Sequence, residues 1–561
     1  MVIKMLSDIE IAKNAKIFSI LNIAHKIGLT KNNIELYGEY KAKIKLNTLK
    51  NLQNKNKKGK LILVTSINPT PFGEGKSTIA IGLADALSNY LNKKTILTMR
   101  EPSLGPVMGL KGGATGGGYS QVIPMEDINL YFTGDINALT SANNTLAALI
   151  DNHIQHGNRL NIDPRKILWK RCLDVNDRSL RNIIIGLGSP LNGVPRQDEF
   201  QITAASELMS ILCLSNNLMD LKNRISNILV GFTYDNKPVY VNDLGVSGAI
   251  TLLLKNAINP NLVQTLEHTP TIIHGGPFAN IAHGSSSILS IKTALYLSDY
   301  TITEAGFGSD LGAEKFLDIV TPYLDTSPST VVIVVTVRAL KYNSGVKINE
   351  LNNHNIKALK KGFANLRRHI LNIKGYGLPS VVSINCFKDD FIDEINCLKK
   401  MCDQLNVPAV ITNVWEKGGL GGVELANKVI AESNKVHKFH PVYKLNMSLE
   451  DKIFQVVNKI YGGEGVDYSD KALKSIQIIK QNGWDKLPIC IAKTPYSFSD
   501  NKKLLGAPSN FKIHVQDIEP KLGAGFLVIL TENILTMPGL PTEPAALKMD
   551  IDEDGNISGL I

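Results

Sequence analysis

Short apolar runs alternate along the chain with stretches in which apolar residues recur at helical spacing. The run Lys60–Ile67 (KLILVTSI) predicts a buried parallel strand, Ser77–Leu91 predicts a helix, and Thr95–Met99 predicts a second strand. A strand–loop–helix–strand order of this kind is typical of parallel sheets with right-handed crossovers. The pattern therefore predicts an α/β fold built on a doubly wound parallel sheet.

The same alternation continues through most of the chain. Up to about residue 365 it predicts strands at Asn182–Leu187, Thr271–His274, Tyr300–Thr303 and Val331–Val337, and helices at Thr203–Leu214 and Ser285–Leu297. Beyond that point, strands at 379–386 and 408–414 and helices at 389–405 and 422–435 predict another α/β unit, which is followed by a Gly- and Pro-rich end with short strands.

The loop between the first predicted strand and helix has the composition of a phosphate-binding loop. Its residues are Thr70, Pro71, Phe72, Gly73, Glu74, Gly75, Lys76 and Ser77. Glycines let backbone N–H groups approach phosphates, the lysine can reach the β- and γ-phosphates, and the serine can hold Mg²⁺. The spacing is a variant, because Thr70 stands where the first glycine is usual. We interpret the segment as an ATP-binding P-loop rather than a plain turn, although such loops occur in motors, switches and ligases alike.

Composition and charge exclude some classes of protein. The chain of 561 residues is 43% apolar and 20% charged, and no apolar run approaches the roughly 18 residues that span a membrane. Six cysteines without a CxxC pair indicate reduced thiols rather than a zinc site. The net charge of +10 could attract polyanions. The lysines are dispersed, apart from a cluster at residues 55–60, so we expect a cytoplasmic protein without a nucleic-acid or membrane partner.

Longer motifs carry a resemblance to one family. They are GLKGGATGGGY at Gly109–Tyr119, VTVRALKYNSG at Val335–Gly345, TPFGEGKST, MREPSLGP, HGGPFANIAHG, TEAGFGSDLGAEKF, NVWEKGG and TMPGLP. Together they closely resemble formate–tetrahydrofolate ligase, from about residue 10 to residue 561. The resemblance implies a homotetramer with a P-loop nucleotide-binding domain, assigned here to residues 1–365, and two smaller domains. Residues 366–490 would form a second α/β domain that contributes the folate site, and residues 491–561 a small C-terminal domain.

The family reaction would convert ATP, formate and tetrahydrofolate to 10-formyltetrahydrofolate, ADP and phosphate. Formate is a poor acyl donor, because its leaving group would be oxide. Phosphorylation gives formyl phosphate, whose leaving group is phosphate and whose carbon N10 of the folate can attack. The resemblance thus implies ATP with Mg²⁺ and tetrahydrofolate as the formyl acceptor, and it allows for a monovalent cation.

Several residues would carry this chemistry. Lys76 and the loop amides would hold the phosphates, and Ser77 would ligate Mg²⁺. Arg100, which follows the second strand, matches the family arginine that contacts formyl phosphate, and a guanidinium suits that role. Glu304 follows a predicted strand and would be a second Mg²⁺ ligand. The alternative for Arg100 is a structural pair with the neighbouring Glu101.

Two aromatic residues would form the folate site. Phe387 and Trp415 each follow a predicted strand, and they match family positions at which aromatic rings stack on the pterin. Gly418 and Gly419 follow Trp415 and would allow a ligand to approach closely. The alternative is that both rings are core residues.

The chain also departs from the family pattern. The family usually has His where Asn137 and Asn143 stand, and Asp is common where Gln201 stands. An Asn side chain can hydrogen-bond but cannot transfer a proton near pH 7. Two other functions therefore stay open: a non-catalytic or weakly active nucleotide-binding relative, or another carboxylate-activating P-loop ligase without a pterin site.

Overall fold

The computed structural model describes residues 6–53, 58–109, 115–531 and 534–560. A large mixed sheet runs through the centre of the chain. From one edge to the other, its path is Ile34–Leu36, Ala42–Ile44, Asn261–Thr265, Pro270–Ile273, Thr95–Met99, Tyr300–Gly308, Lys60–Ser66, Thr330–Val335, Ser380–Asn385 and Ala409–Thr412. The strands from Pro270–Ile273 to Ala409–Thr412 are parallel, whereas the pairings at the other edge are antiparallel.

Both faces of the parallel part are covered, as its apolar runs require. Along Lys60–Ser66, the side chains of Leu61 and Leu63 pack into one hydrophobic cluster, and those of Ile62 and Val64 pack into another. The first cluster contains residues of the helices Ile288–Leu297 and Ile356–Gly375; the second contains residues of Lys76–Asp85 and Val423–Ser433. Successive side chains on a strand point to opposite faces, so helices lie on both sides of the sheet.

The described α-helices alternate with the strands. They are Asp8–Lys13, Ile20–Lys26, Leu46–Leu52, Lys76–Asp85, Leu104–Met108, Met125–Asn129, Asp135–Gln155, Glu207–Leu214, Leu218–Ser226, Val241–Leu244, Ser247–Leu253, Ile288–Leu297, Val337–Asn343, Ile356–Gly375, Ile392–Asp403, Val414–Lys417, Val423–Ser433, Leu449–Val456 and Asp470–Gln481. The helix predicted at Ser77–Leu91 is confirmed in large part, and its last turn, Ala86–Tyr90, is a π-helix.

Smaller sheets surround the centre. Arg171–Cys172 pairs with Phe200–Gln201, Ile183–Ile185 with Arg196–Asp198, Gly465–Tyr468 with Lys512–Val515, and Asp550–Ile551 with Ile557–Ser558. The hairpin of Gly116–Gly117 and Ser120–Ile123 instead belongs to the central sheet, because Ser120–Ile123 pairs antiparallel with Asn261–Thr265. Two further sheets have three strands each. One has the order Pro238–Tyr240, Leu229–Thr233, Ile162–Ile167, and the other has the order Ile489–Ala492, Phe526–Leu530, Asp517–Lys521.

Most of the predicted strands are confirmed, with three corrections. Ser380–Asn385 and Ala409–Thr412 do not begin another α/β unit, because their registers continue the central sheet from Thr330–Val335. Ile183–Ile185 is not a strand of the doubly wound sheet, because it pairs antiparallel with a short neighbour. Glu304 does not follow its strand but lies within it, because the strand extends to Gly308.

The three-domain division stays a prediction. Residue 365 lies inside the helix Ile356–Gly375, and residue 490 lies inside the strand Ile489–Ala492. Neither position is therefore a break between elements. The lysines at positions 55 and 57, and residues 110–114 of the Gly-rich motif, lie outside the described residues.

Candidate active site

The predicted site residues lie along one edge of the sheet. In the order of the strands they are Arg100 after Thr95–Met99, Glu304 within Tyr300–Gly308, the Thr70–Ser77 loop after Lys60–Ser66, Phe387 after Ser380–Asn385, and Trp415 after Ala409–Thr412. All are in the carboxyl half of a parallel strand or just beyond it. Open α/β sheets bind ligands outside this edge.

The Thr70–Ser77 loop is held by hydrogen bonds to neighbouring strands. The Glu74 carboxylate accepts a hydrogen bond from Thr70 N at 3.0 Å and one from Thr336 Oγ1 at 3.1 Å. Asn385 Nδ2 donates to the Glu74 carbonyl at 3.1 Å. Gly75 starts the helix with φ of 73°, and a Cβ there would lie 2.4 Å from Asn385 Nδ2, so only glycine fits this position. Glu74 thus braces the loop.

Lys76, Ser77, Glu304 and Arg100 form a connected group beside this loop. Ser77 Oγ donates to Glu304 Oε2 at 2.7 Å, and Arg100 Nη2 lies 3.9 Å from Glu304 Oε1. Lys76 Nζ donates to the carbonyl of Phe307 at 3.3 Å. Phe307 has φ of 55°, a left-handed conformation that is uncommon for a residue with a side chain. The group combines two cations, a hydroxyl and a carboxylate, which are the types that bind a phosphate and its metal ion.

Burial governs the charge of Lys76. It lowers the pKa of the ammonium to about 8, while the Glu304 carboxylate partly opposes the shift and the Arg100 guanidinium adds to it. Among the described residues, the carboxylate within ion-pair distance of Arg100 is Glu304, not Glu101. Burial raises the pKa of Glu101 well above its usual range, and nearby Asp135 adds to that shift. The alternative of a structural Arg100–Glu101 pair is therefore wrong.

Phe387 presents a partly exposed ring at the neighbouring strand end. The ring is 40% exposed, and the guanidinium carbon of Arg338 lies 4.4 Å from its centroid. Asp390 Oδ2 accepts a hydrogen bond from Phe387 N at 2.9 Å, which holds the turn. The ring is not a core residue, so that alternative is excluded for Phe387.

Trp415 is also partly exposed, at 36%, and its backbone packs against the Gly-rich hairpin that begins at Gly116. Its carbonyl accepts a hydrogen bond from Tyr119 N at 2.8 Å. Gly118 has φ of 58°, and a Cβ there would lie 2.1 Å from the Trp415 carbonyl oxygen. Glu267 Oε1 accepts from Gly419 N at 2.6 Å and supports the turn that follows. The indole is thus an exposed ring on a braced backbone, not a core residue.

Some supporting residues were not singled out in the sequence. Thr336 and Arg338 lie within the motif VTVRALKYNSG, and Asn385 lies one residue before the end of the strand predicted at 379–386, so polar residues at strand ends were the available signal. Glu267 follows an antiparallel strand and has no such signal.

The three positions that depart from the family pattern lie on other elements than the predicted site residues. Asn143 is buried, and its Nδ2 donates to the carbonyl of Lys170 at 2.9 Å. Asn137 is exposed, and Gln201 belongs to a two-residue strand. Over the described ranges, no hydrogen bond joins any of the three to the Thr70–Ser77 loop.

The described residues carry no clustered group of metal ligands and no membrane-spanning helix. No group of three or more His, Cys, Asp or Glu side chains is placed to hold a metal ion within the described ranges. A cation at Ser77 and Glu304 would therefore need further oxygen ligands from a nucleotide or from water. In the same part of the chain, no helix has both the length and the apolar character that crossing a membrane requires.

Known proteins match the whole chain. The family model described as "Formate--tetrahydrofolate ligase" matches residues 6–561. A formate–tetrahydrofolate ligase of Latilactobacillus sakei subsp. sakei is 58% identical over 558 residues, which is 99% of this chain and 100% of the relative. Those of Pediococcus pentosaceus and Lacticaseibacillus paracasei are 59% identical over 556 residues and 58% identical over 558 residues, with the same coverage.

The sheet edge and these matches define an enzyme of the ATP-dependent ligase class. Within that class, the chain belongs to the formate–tetrahydrofolate ligase family. The resemblance found in the sequence motifs is confirmed.

Proposed function

We propose that the protein joins formate to tetrahydrofolate at the expense of ATP and releases 10-formyltetrahydrofolate, ADP and phosphate. The observation that carries this proposal is the connected group of Lys76, Ser77, Glu304 and Arg100. It lies at the same sheet edge as the two exposed rings of the predicted folate site. The residues that would activate formate and those that would bind its acceptor, tetrahydrofolate, thus lie at neighbouring strand ends.

The first half-reaction would make formyl phosphate. A formate oxygen attacks the γ-phosphorus of ATP, the bond to the β,γ-bridging oxygen breaks, and ADP leaves. Lys76 and the loop amides would hold the β- and γ-phosphates, in the manner of a P-loop NTPase. Arg100 would bind the transferred phosphoryl group and the acyl oxygen, where its planar fork can form two hydrogen bonds.

The residues present fit a Mg²⁺ ion. Glu304 Oε1 is buried without a hydrogen-bond partner, while Oε2 of the same carboxylate accepts from Ser77. An open carboxylate oxygen beside a hydroxyl is a usual beginning of a magnesium site, whose remaining ligands are phosphate oxygens and water. When bound, Mg²⁺ would neutralise charge on the triphosphate.

The second half-reaction would transfer the formyl group. The lone pair of N10 attacks the formyl carbon, the carbon–oxygen bond to phosphate breaks, phosphate leaves with the electron pair, and N10 loses its proton. Phe387 and Trp415 would hold the pterin by stacking, which favours flat heteroaromatic rings. Their partial exposure leaves ring surface available for such contacts.

The larger organisation follows the same resemblance. We propose a P-loop NTPase-like domain over about residues 1–365, with domains over 366–490 and 491–561, in a cytoplasmic homotetramer. Light scattering of the purified protein would give the mass of the assembly, and a monomer would contradict the tetramer.

A coupled assay tests the function. ADP release should require both formate and tetrahydrofolate, and omitting Mg²⁺ or monovalent cations from the assay tests each requirement. ADP release that needs another carboxylate and no folate would indicate a different ligase. Tight ATP binding without turnover would indicate a non-catalytic relative.

A further inference from the structure

Four buried polar atoms that have no partner among the described residues belong to Arg100 and to two side chains that interact with its charge. Within the described residues, Arg100 Nε, Glu304 Oε1 and both ring nitrogens of His283 are buried and make no hydrogen bond. Burying such a group without a partner is unfavourable. Buried polar groups are otherwise almost always satisfied, so these four indicate a position that a small polar ligand completes.

Contacts along one segment connect His283 to Arg100. Gly306 N donates to the Gly284 carbonyl at 2.8 Å. A Cβ on Gly306 would lie 3.1 Å from Arg100 Nη1 and 2.4 Å from the Cβ of Ala279. Arg100 Nη1 also lies 3.5 Å from the carbonyl of Pro277. The segment from Pro277 to Gly284 therefore packs against the guanidinium.

A nearby histidine in the sequence shows the ordinary arrangement. His274 is also fully buried, but its Nδ1 lies 2.6 Å from Ser287 Oγ and its Nε2 lies 2.7 Å from the carbonyl of Ala257. Both of its nitrogens are therefore satisfied within the protein. The two open nitrogens of His283 are not a general property of the buried histidines in this fold.

The surroundings of His283 favour an anion. Burial, together with the positive charges of Arg100, Lys315 and Arg224, lowers the pKa of its imidazole to about 3. The ring is thus neutral and keeps one N–H donor and one acceptor nitrogen. A carboxylate accepts hydrogen bonds only, so it matches the donors of His283 and Arg100. Because His283 has no exposed surface, the ligand must be small.

We propose that His283 binds formate, with its ring N–H and Arg100 Nε–H donating to the carboxylate oxygens. This inference rests on the proposed function and assigns its formate pocket. It gives His283 a direct contact with the substrate that becomes the formyl group.

Two variants test the assignment: His283→Met, which removes both nitrogens at similar volume, and His283→Asn, which shortens the side chain. Formate affinity is measured by calorimetry on the full protein with Mg²⁺ and a non-hydrolysable ATP analogue, beside the KM values for formate, ATP and folate. Loss of a hydrogen bond to a charged group should raise the formate Kd and KM about 10- to 100-fold in His283→Met. His283→Asn should also weaken formate binding, and the ATP KM should stay nearly unchanged in both.

Unchanged formate affinity in either folded variant would overturn the assignment, and so would an equal rise in all three KM values. Wild-type protein that binds formate without turnover would contradict the proposed function but would still support the assignment of His283 to formate binding. Wild-type protein that binds no formate would overturn both.

Discussion

Ser77 and Glu304 are joined by a 2.7 Å hydrogen bond between the first turn of a helix and the neighbouring parallel strand. The strand register sets this contact, because Glu304 pairs with Val64 of the strand that precedes the loop. The other oxygen of Glu304 lies 3.9 Å from Arg100 on the next strand. One carboxylate thus connects three adjacent strand ends, and rigid elements rather than mobile loops hold the group.

Lys76→Ala should abolish formate- and folate-dependent ADP release while the protein stays folded. The ammonium is the cation nearest the phosphates in the proposed arrangement, and its removal leaves the sheet intact. Circular dichroism and the steady-state rate measure the two effects. Lys474→Ala removes an exposed lysine of the helix Asp470–Gln481 and should leave the rate unchanged. Normal ADP release in Lys76→Ala would exclude a role for the loop in catalysis.

The kcat/KM for ATP should fall as the pH rises above about 8, because burial lowers the pKa of Lys76 to about 8 in the free enzyme. Below that pH the ammonium is charged and attracts the triphosphate; above it the neutral amine does not. Lys76→Arg keeps its charge over the whole range, so its alkaline decline should disappear even if its rate is lower. An identical decline in wild type and Lys76→Arg would assign the titration to another group.

Arg100→Lys should lower kcat and the kcat/KM for ATP together by on the order of 10²–10³, as expected for a donor that acts in the transition state. A lysine keeps the charge but cannot form the planar two-bond fork. ATP binding should remain nearly intact, because Lys76 and the loop amides are unchanged. Kinetics and nucleotide titration measure the two quantities. Near-normal kcat with weakened ATP binding would place Arg100 in nucleotide recognition instead.

Glu304→Gln should weaken the binding of Mg²⁺ more than the binding of the nucleotide. The amide keeps the size of the side chain and can still contact Ser77, but it removes the negative charge that the open Oε1 contributes. The Mg²⁺ concentration for half-maximal activity should rise at saturating ATP. Glu74→Gln is the matched comparison, because Glu74 is a brace of the loop and should affect stability more than metal affinity. An unchanged Mg²⁺ requirement in Glu304→Gln would remove Glu304 from the metal site.

Trp415→Ala should raise the folate KM and affect the ATP KM less. Stacking of a base on an aromatic side chain contributes about 1–3 kcal/mol in nucleic-acid complexes, the nearest comparison. The chain has only three tryptophans, so replacing one at a time shows which of them folate quenches. Folate quenching should be lost in Trp415→Phe and kept in Trp484→Phe. An unchanged folate KM in Trp415→Ala would remove the indole from the folate site.

Much of the fold could be predicted because its signals are local. The strands Lys60–Ser66 and Thr95–Met99 are apolar runs bounded by turns, and both lie within one residue of their predicted ends. The membership of Ser380–Asn385 in the central sheet could not be predicted. The apolar pattern identifies a strand, but it does not identify the distant strand with which it pairs. Likewise, Ile183–Ile185 has a strand's composition but no partner from the main sheet.

Site residues could be predicted where a polar side chain directly follows the end of a predicted strand. Arg100 and Ser77 are polar residues directly beyond such ends, so the topology brings them to one edge. His283 carries no comparable signal, since a histidine in a Gly-rich loop is usually satisfied by its neighbours, as His274 is. Its open nitrogens appear only when the burial and partners of each atom are known.

The guanidinium of Arg338 covers one face of the Phe387 ring. A flat ligand can therefore stack on Phe387 from the other side only, unless it displaces the arginine. A reduced pterin has two unlike faces because of its stereogenic carbon, so stacking on Phe387 would commit it to offering one face to the ring. We expect the protein to prefer one of the mirror-related forms of tetrahydrofolate only if further contacts also hold the edge of the pterin.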